Sequence, residues 1–410
     1  MVVNSMALIN IIKERIGWKR AMPSILLVLN TFVWYIVIYL IFSNIVNELE
    51  LFEAEKMILF TLYFIGIAVS AILGSQFFQK ARVKLLYVWL LMDIAVTPLL
   101  VIVPGNGLLT NIFALLLGFS IGIGLPSCLS YFADSTKIEN RGLVGGITWS
   151  ITGFMVLLFI IIANIIKIWE IVTALTVWRV FGGICFAFLS RQHKESGDQK
   201  PQSYLELIHK RDVWLYLFPW IMFSLINFAE LPILERVFGT EVFVFVTFAE
   251  YIFAGIFAFV GGISADLAGR KRIAIIGFIM LGIEYAALSI FYDSPVVSYL
   301  FMVLDGITWG LFFSVFFMTV WGDLGEGYEK EKYYALGGLP FLLSNYISIL
   351  VNPYVSVISP TAAFSFASFF LFLAVIPLMY APETLPEKHV RERELKEYIE
   401  KAKKIREKYG

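Results

Sequence analysis

The sequence predicts an all-α integral membrane protein, with twelve transmembrane helices in two pseudo-symmetric six-helix bundles. Three observations lead there. Of 410 residues, 59% are hydrophobic and only 16% charged, and the mean hydropathy is +0.80; soluble domains carry about 25% charged residues. Apolar stretches of bilayer-crossing length, about 20 residues each, recur along nearly the whole chain. The most hydrophilic internal segment, RQHKESGDQKPQSYLELIHKRD at 191–212, has six such stretches on either side.

The twelve predicted spans are 23–43, 57–79, 84–104, 108–132, 143–166, 170–190, 213–235, 240–262, 272–292, 296–321, 333–353 and 360–381. Hydrocarbon offers the backbone no hydrogen-bond partner, so each must be a helix. The runs lack the two-residue alternation of a membrane barrel. The expected divisions are an N-terminal cytoplasmic or interfacial segment (1–22), a first bundle (23–190), a cytoplasmic linker (191–212), a second bundle (213–381) and a charged C-terminal helix (382–410). In the first segment Leu8, Ile9, Ile12 and Ile16 oppose Lys13, Arg15 and Lys19, a pattern suited to the membrane interface, and no separate cleavable signal peptide is read. In the last, Leu395, Ile399, Ala402 and Ile405 recur on about one face, with cations elsewhere that suit an anionic inner leaflet.

Lys and Arg set the orientation. With both termini cytoplasmic, only Lys56, Lys167 and Arg236 fall outside and Arg179 lies within a span, leaving 28 of the 32 cations on the cytoplasmic side. A multi-pass protein of the cell membrane is expected. Cys128 and Cys185 fall inside spans as small apolar side chains. His193, His209 and His389 lack metal-ligand spacing, so no metal and no cofactor is expected. No phosphate loop of the form G-x-x-x-x-G-K-[ST] and no nucleophile–base spacing is present, which argues against an ATP-driven pump and against an enzyme.

The halves look like copies. Gly74 and Gly262 are 188 residues apart, as are Arg82 and Arg270, Gly118 and Gly306, and Gly122 and Gly310; Asp134 and Asp323 match with one residue inserted. Two membrane repeats with a site at their interface form a transporter architecture.

The stretch GGISADLAGRKRIA, from Gly261 to Ala274, falls in the predicted cytoplasmic turn between spans 8 and 9. Gly269 permits a turn with positive φ, Gly262 permits close helix approach, and Asp266 can accept the free N–H groups of another helix N-terminus. The spacing Gly262-x3-Asp266-x2-Gly269-Arg270-Lys271 resembles the signature loop of the major facilitator superfamily, G-x3-D-x2-G-R-[RK]. With twelve spans and a 6+6 division, the resemblance covers nearly the whole chain.

The resemblance implies that Asp266 meets the N-terminus of span 5 near Gly142–Gly145 and holds the cytoplasmic side shut. The counterpart turn, GSQFFQKARVK at 74–84, keeps Gly74 and Arg82 but has Phe78 at the aspartate position and Ala81 at the second glycine. A weak or replaced clamp on span 11 is therefore expected, with the span 5 contact dominant. Asp134-x6-Arg141-Gly142 matches the family's acid-x6-Arg-Gly, echoed by Asp323-x6-Lys330. The family's pattern would pair Asp134 with Arg82 and Asp323 with Arg270. Pro382-Glu383-Thr384 resembles the closing motif of the sugar-porter subgroup. That subgroup's span 4 arginine is missing here, Gly118 lying near its place.

An ionisable side chain at mid-membrane costs roughly 2.5–3.5 kcal/mol, so it has a partner or a function. Asp93, Arg179, Glu230, Glu250, Glu284 and Asp305 all fall inside spans, leaving four acids with no evident cation. In the family, spans 1, 4, 7 and 10 line the cavity, 2, 5, 8 and 11 stand beside them, and 3, 6, 9 and 12 lie outside. That pattern makes Asp93–Arg179 a structural ion pair and Glu284 a peripheral group. It makes Glu230, Glu250 and Asp305 the candidates for substrate binding or proton coupling. Asn30 and Trp34 (one turn apart), Trp149, Asn227 and Asn345 are the candidate polar lining. The expected function is secondary transport of a small sugar-like or other organic solute by alternating access, proton-coupled, by a monomer in the lipid bilayer with no nucleic-acid partner. An uncoupled facilitator, an efflux transporter of organic cations and a non-transporting membrane sensor stay open as alternatives.

Overall fold

The computed structural model describes residues 17–102, 107–190, 203–325 and 329–385. Among them are twelve helices long and apolar enough to cross a membrane: spans 1 (Trp18–Glu48), 2 (Glu53–Phe77), 3 (Gln79–Ile102), 4 (Gly107–Ser135), 5 (Ile138–Ala163) and 6 (Ile168–Leu189), then 7 (Arg211–Phe238), 8 (Thr240–Ala268), 9 (Arg270–Phe291), 10 (Pro295–Leu324), 11 (Lys330–Tyr354) and 12 (Pro360–Tyr380). The proposed interfacial N-terminal helix and the charged C-terminal helix lie outside the described residues, as does most of the linker. A short helix, Tyr204–Ile208, leads into span 7.

Most spans begin or end a few residues beyond the predicted apolar core, in the polar turns that flank it. Glu55 and Glu170 each accept the backbone N–H three residues earlier, at 2.9 Å, and so fix the starts of spans 2 and 6. Single glycines join spans 7 to 8 and 8 to 9: Gly239 at φ 78° and Gly269 at φ 101°, conformations that a Cβ disfavours. Span 10 changes to a π-helix over Phe313–Val320, a feature that often marks functional positions.

The packing repeats with a pseudo-twofold. Span 1 lies against 5 and 6 as span 7 lies against 11 and 12; span 2 lies against 4 as 8 lies against 10. Across the halves, span 5 meets 8 and span 11 meets 2. Spans 1, 4, 7 and 10 are the most buried. Gly118 and Gly122 lie close to the backbone of span 2, and Gly306 and Gly310 close to that of span 8, so these glycines set matched helix contacts. One sequence match shifts. Gly74 abuts Ile123 on span 4, whereas Gly261 abuts Leu311 on span 10 and Gly262 abuts Gly142 on span 5. The structural counterpart of Gly74 is therefore Gly261, one residue off the 188-residue repeat.

Candidate functional site

One end of the molecule carries the turns between spans 2 and 3, 4 and 5, 8 and 9, and 10 and 11. Lys56, Lys167 and Arg236 stand at the opposite end, where Arg236 donates to the carbonyls of Val355 and Ile358. At the cation-rich end, Asp266 finishes span 8 with its carboxylate on the start of span 5: Oδ1 accepts from Gly142 N at 3.0 Å and Oδ2 from Leu143 N at 2.7 Å. These N–H groups have no partner within their own helix, and the dipole there favours an anion. Only a glycine at 262 lets the helices approach this closely, since a Cβ would strike the Gly142 carbonyl.

Two charge triads flank this contact. Arg82 donates to Asp134 at 2.6 Å and Lys330 reaches the same carboxylate from span 11. Arg270 donates to Asp323 at 3.1 Å and Arg141 reaches that carboxylate from span 5. Each triad has an arginine and an acid from one half and a cation from the other, so both cross the seam. Arg270 also donates to the carbonyl of Ile138, 2.6 Å away in the opposite half.

The clamp on span 11 takes a form that residue 78 does not announce. The Phe78 side chain makes no cap hydrogen bond, but Glu331 in the first turn of span 11 accepts from Arg82 Nε at 2.6 Å and is fully buried. Tyr204, in the linker helix, hydrogen-bonds Ser75 of span 2 while its ring lies 5.4 Å from the Lys332 ammonium of span 11. Burial pushes the Tyr204 hydroxyl up to about 12, so it remains uncharged. The two clamps thus differ in chemistry rather than one being missing. Glu383 completes the end: its oxygens accept the backbone N–H groups of Arg270 (2.8 Å) and Lys271 (3.2 Å), capping span 9, while Lys271 Nζ donates to the Ala381 carbonyl at 3.0 Å.

Beyond the clamps, aromatic rings fill the seam. Trp149 of span 5 stacks on Phe313 of span 10, with centroids 4.0 Å apart and planes at 6°. Phe32 of span 1 meets Phe317 edge-on at 5.7 Å, and Phe317 meets Phe341 of span 11 at 4.8 Å. The indole N–H of Trp149 is buried without a hydrogen-bond partner. Tyr346 joins Thr61 across the seam at 2.7 Å, beside a half-buried Asn345.

Asn30 and Trp34 do not face this seam. Arg179, fully buried, draws them toward spans 3 and 6. Arg179 donates to Asp93 (Nε to Oδ2, 3.0 Å), Asn30 (2.7 Å) and Thr31 (3.0 Å), and its guanidinium lies 4.6 Å from the Trp89 ring and 5.1 Å from the Trp34 ring. Trp34 donates to Thr97 at 2.9 Å. A guanidinium in an apolar bundle needs acceptors for all its donors, and that need outranks cavity lining at both positions.

In the second half the acids gather. Asp305 accepts from Asn227 at 3.1 Å, and Trp309 lies one helical turn further along the same span. Glu230 is buried with one oxygen unpartnered. Glu250, half-buried, lies within electrostatic reach of Asp305. Glu284 is not peripheral: it is fully buried, neither oxygen has a hydrogen-bond partner, and it lies within reach of both Asp305 and Glu250. No cluster of three or more metal-ligating side chains occurs among the described residues.

No family model and no curated protein matches the sequence. Two solved structures are similar in fold. FucP, a Major Facilitator Superfamily transporter in its outward conformation, superposes with a TM-score of 0.66 at 9% identity, over 89% of this chain and 100% of that one. The proton:xylose symporter XylE, bound to 6-bromo-6-deoxy-D-glucose, gives a TM-score of 0.66 at 14% identity, over 90% of this chain and 96% of that one. Twelve apolar helices, two matched six-helix halves and these likenesses together give this multi-pass membrane protein the major facilitator superfamily fold.

Proposed function

We propose that this chain is a secondary transporter that moves a small organic solute by alternating access, coupled to protons, as a monomer in the cell membrane with the cation-rich end and both termini in the cytoplasm. One observation carries the reading. The Asp266 cap and the two triads lie at one end of the seam between the halves, where rocking one half against the other breaks them together. Ion pairs suit such a gate: burying them costs desolvation that offsets most of their attraction, so they specify a closed geometry without freezing it. Glu230 and Asp305, both buried, and the half-buried Glu250 are the coupling candidates, since a carboxyl removed from water can load and release a proton as the site opens to either side. The likeness in fold to a proton:xylose symporter supports coupled uptake of a polar solute as one form of this reading.

Purified protein in vesicles tests it. A pH gradient should drive accumulation of a solute, and Glu250→Gln or Asp305→Asn should abolish that drive. Flux indifferent to pH supports the uncoupled facilitator, and solute binding with no flux supports the sensor.

A further inference from the structure

Two grooves open at opposite ends of the first bundle, and their linings differ in polarity. At the cation-rich end a groove of about 530 Å³ lies between the start of span 1 and the end of span 6. Its polar lining is Trp18, Lys19 and Ser190. At the other end a groove of about 340 Å³ lies between the turn joining spans 1 and 2 and the start of span 4, and it carries Glu50 and Glu55. The first groove has donors and no acid. Lys19 is exposed and has no ion-pair partner among the described residues. The half-buried Trp18 has an indole N–H with no acceptor among them. Ser190 Oγ and Tyr87 Oη share one hydrogen bond at 2.8 Å; one hydroxyl donates, and the proton of the other stays free for a further acceptor.

The rest of the lining is apolar: Met22, Pro23, Phe188 and Leu189. Phe188 is 85% exposed although it belongs to a span, so in a bilayer hydrocarbon covers it. Span ends lie where hydrocarbon meets headgroups, the depth at which Trp and Lys side chains settle. An ammonium and two neutral donors call for an oxyanion, and an apolar wall beside them calls for a chain attached to it. A free phosphate would leave the wall unmatched. A chain with no headgroup would leave the donors without acceptors. The trimethylammonium of a choline headgroup would meet the Lys19 ammonium, so a lipid with net negative charge fits best.

We propose that this groove binds one anionic glycerophospholipid of the leaflet at the cation-rich end. Its phosphate accepts from Lys19, Trp18 and the Ser190–Tyr87 hydroxyl pair, and one acyl chain lies along Met22 and Phe188. The bound lipid bridges the start of span 1 to the end of span 6, two helices that pack together. The acid-lined groove at the opposite end repels the same headgroup, so the site belongs to one leaflet. The proposal rests on the membrane fold and stands whether or not the chain transports a solute.

The test uses the full chain in phosphatidylcholine vesicles that contain the same minor share of either phosphatidylglycerol or phosphatidylcholine brominated on its acyl chains. The quenching of tryptophan fluorescence that is lost in Trp18→Phe reports the contact of Trp18 with the brominated lipid. Brominated phosphatidylglycerol should quench Trp18 several-fold more than brominated phosphatidylcholine. Lys19→Gln should cut that preference about fivefold, the weight of one cation near an anionic surface. Arg272→Gln removes an exposed cation of the other half at the same end and should leave the preference unchanged. Glycerol 3-phosphate, the headgroup phosphate without chains, should not relieve the quenching. Where Lys19→Gln fails to fold, the comparison of the two lipids on the unaltered protein still decides. Equal quenching by both lipids, an equal loss in the two cation variants, or relief by glycerol 3-phosphate overturns the site. A Trp18 that neither lipid quenches is covered by protein, which also overturns it.

Discussion

Arg82 at the start of span 3 and Glu331 in the first turn of span 11 meet across the seam, 2.6 Å apart, with Glu331 fully buried. The pair stands where the equivalent turn of the second half uses Asp266 against backbone N–H groups. One repeat closes with a carboxylate on a helix end and the other with a charge pair on a helix side, so the two clamps should answer differently to mutation. Removing either partner of a buried pair costs about 3–5 kcal/mol because it strands the other charge. Arg82→Gln and Glu331→Gln should each lower thermal stability strongly. The double variant should lose less than the sum, with a coupling of about 0.5–3 kcal/mol. Strict additivity in melting experiments would deny the pair.

Asp266→Asn keeps the shape of the span 5 cap and removes its charge. A hydrogen bond to a charged group is worth about 1.5–3 kcal/mol, so the closed end should open more often, by roughly 10- to 150-fold. Hydrogen exchange at the first turn of span 5, Gly142 to Gly146, should quicken by that order. Unchanged protection there would remove Asp266 from the gate.

Glycine positions should divide by geometry. Gly269 sits at φ 101°, and a Cβ there would press on the Glu383 carboxylate, whereas Gly183 on span 6 has open space around it. Gly269→Ala should destabilise the protein by about 1–2 kcal/mol. Gly183→Ala should stabilise it by up to about 1 kcal/mol. Thermal melts of the two variants check both signs.

The Asp93–Arg179 pair should behave as structure. Arg179→Leu leaves Asp93 alone among apolar neighbours and should cost about 3–5 kcal/mol, while Asp93→Leu with Arg179→Leu should recover much of that loss. A double variant that folds well yet loses solute binding would instead place Arg179 in the site.

Much of this molecule was legible in its sequence, because the bilayer imposes rules that act along the chain. Span number follows from apolar length, and the ability of Asp266 to take a helix N-terminus follows from the chemistry of a helix end, while its meeting span 5 is what the resemblance of its loop implies. The hidden part depends on rotation about helix axes and on contacts distant in sequence. Asn30 and Trp34 sit on a central span, yet Arg179, about 150 residues later, turns both away from the seam. Glu331 replaces a capping acid from a position 253 residues beyond Phe78. Glu284 belongs to an outer span by order but faces inward with Tyr285. None of these follows from local periodicity, which gives the face of a helix and not its neighbour.

The most direct test is the distance between the halves at the cation-rich end. Spin labels at Lys80→Cys and Arg272→Cys, both exposed and on opposite halves, would be placed in a protein with Cys128 and Cys185 replaced by alanine. Pulsed electron resonance should find a dominant short separation in the otherwise unaltered protein. Adding Asp266→Asn and Glu331→Gln should produce a second, longer population. A single distribution that stays fixed through both substitutions would contradict a gate held by these contacts.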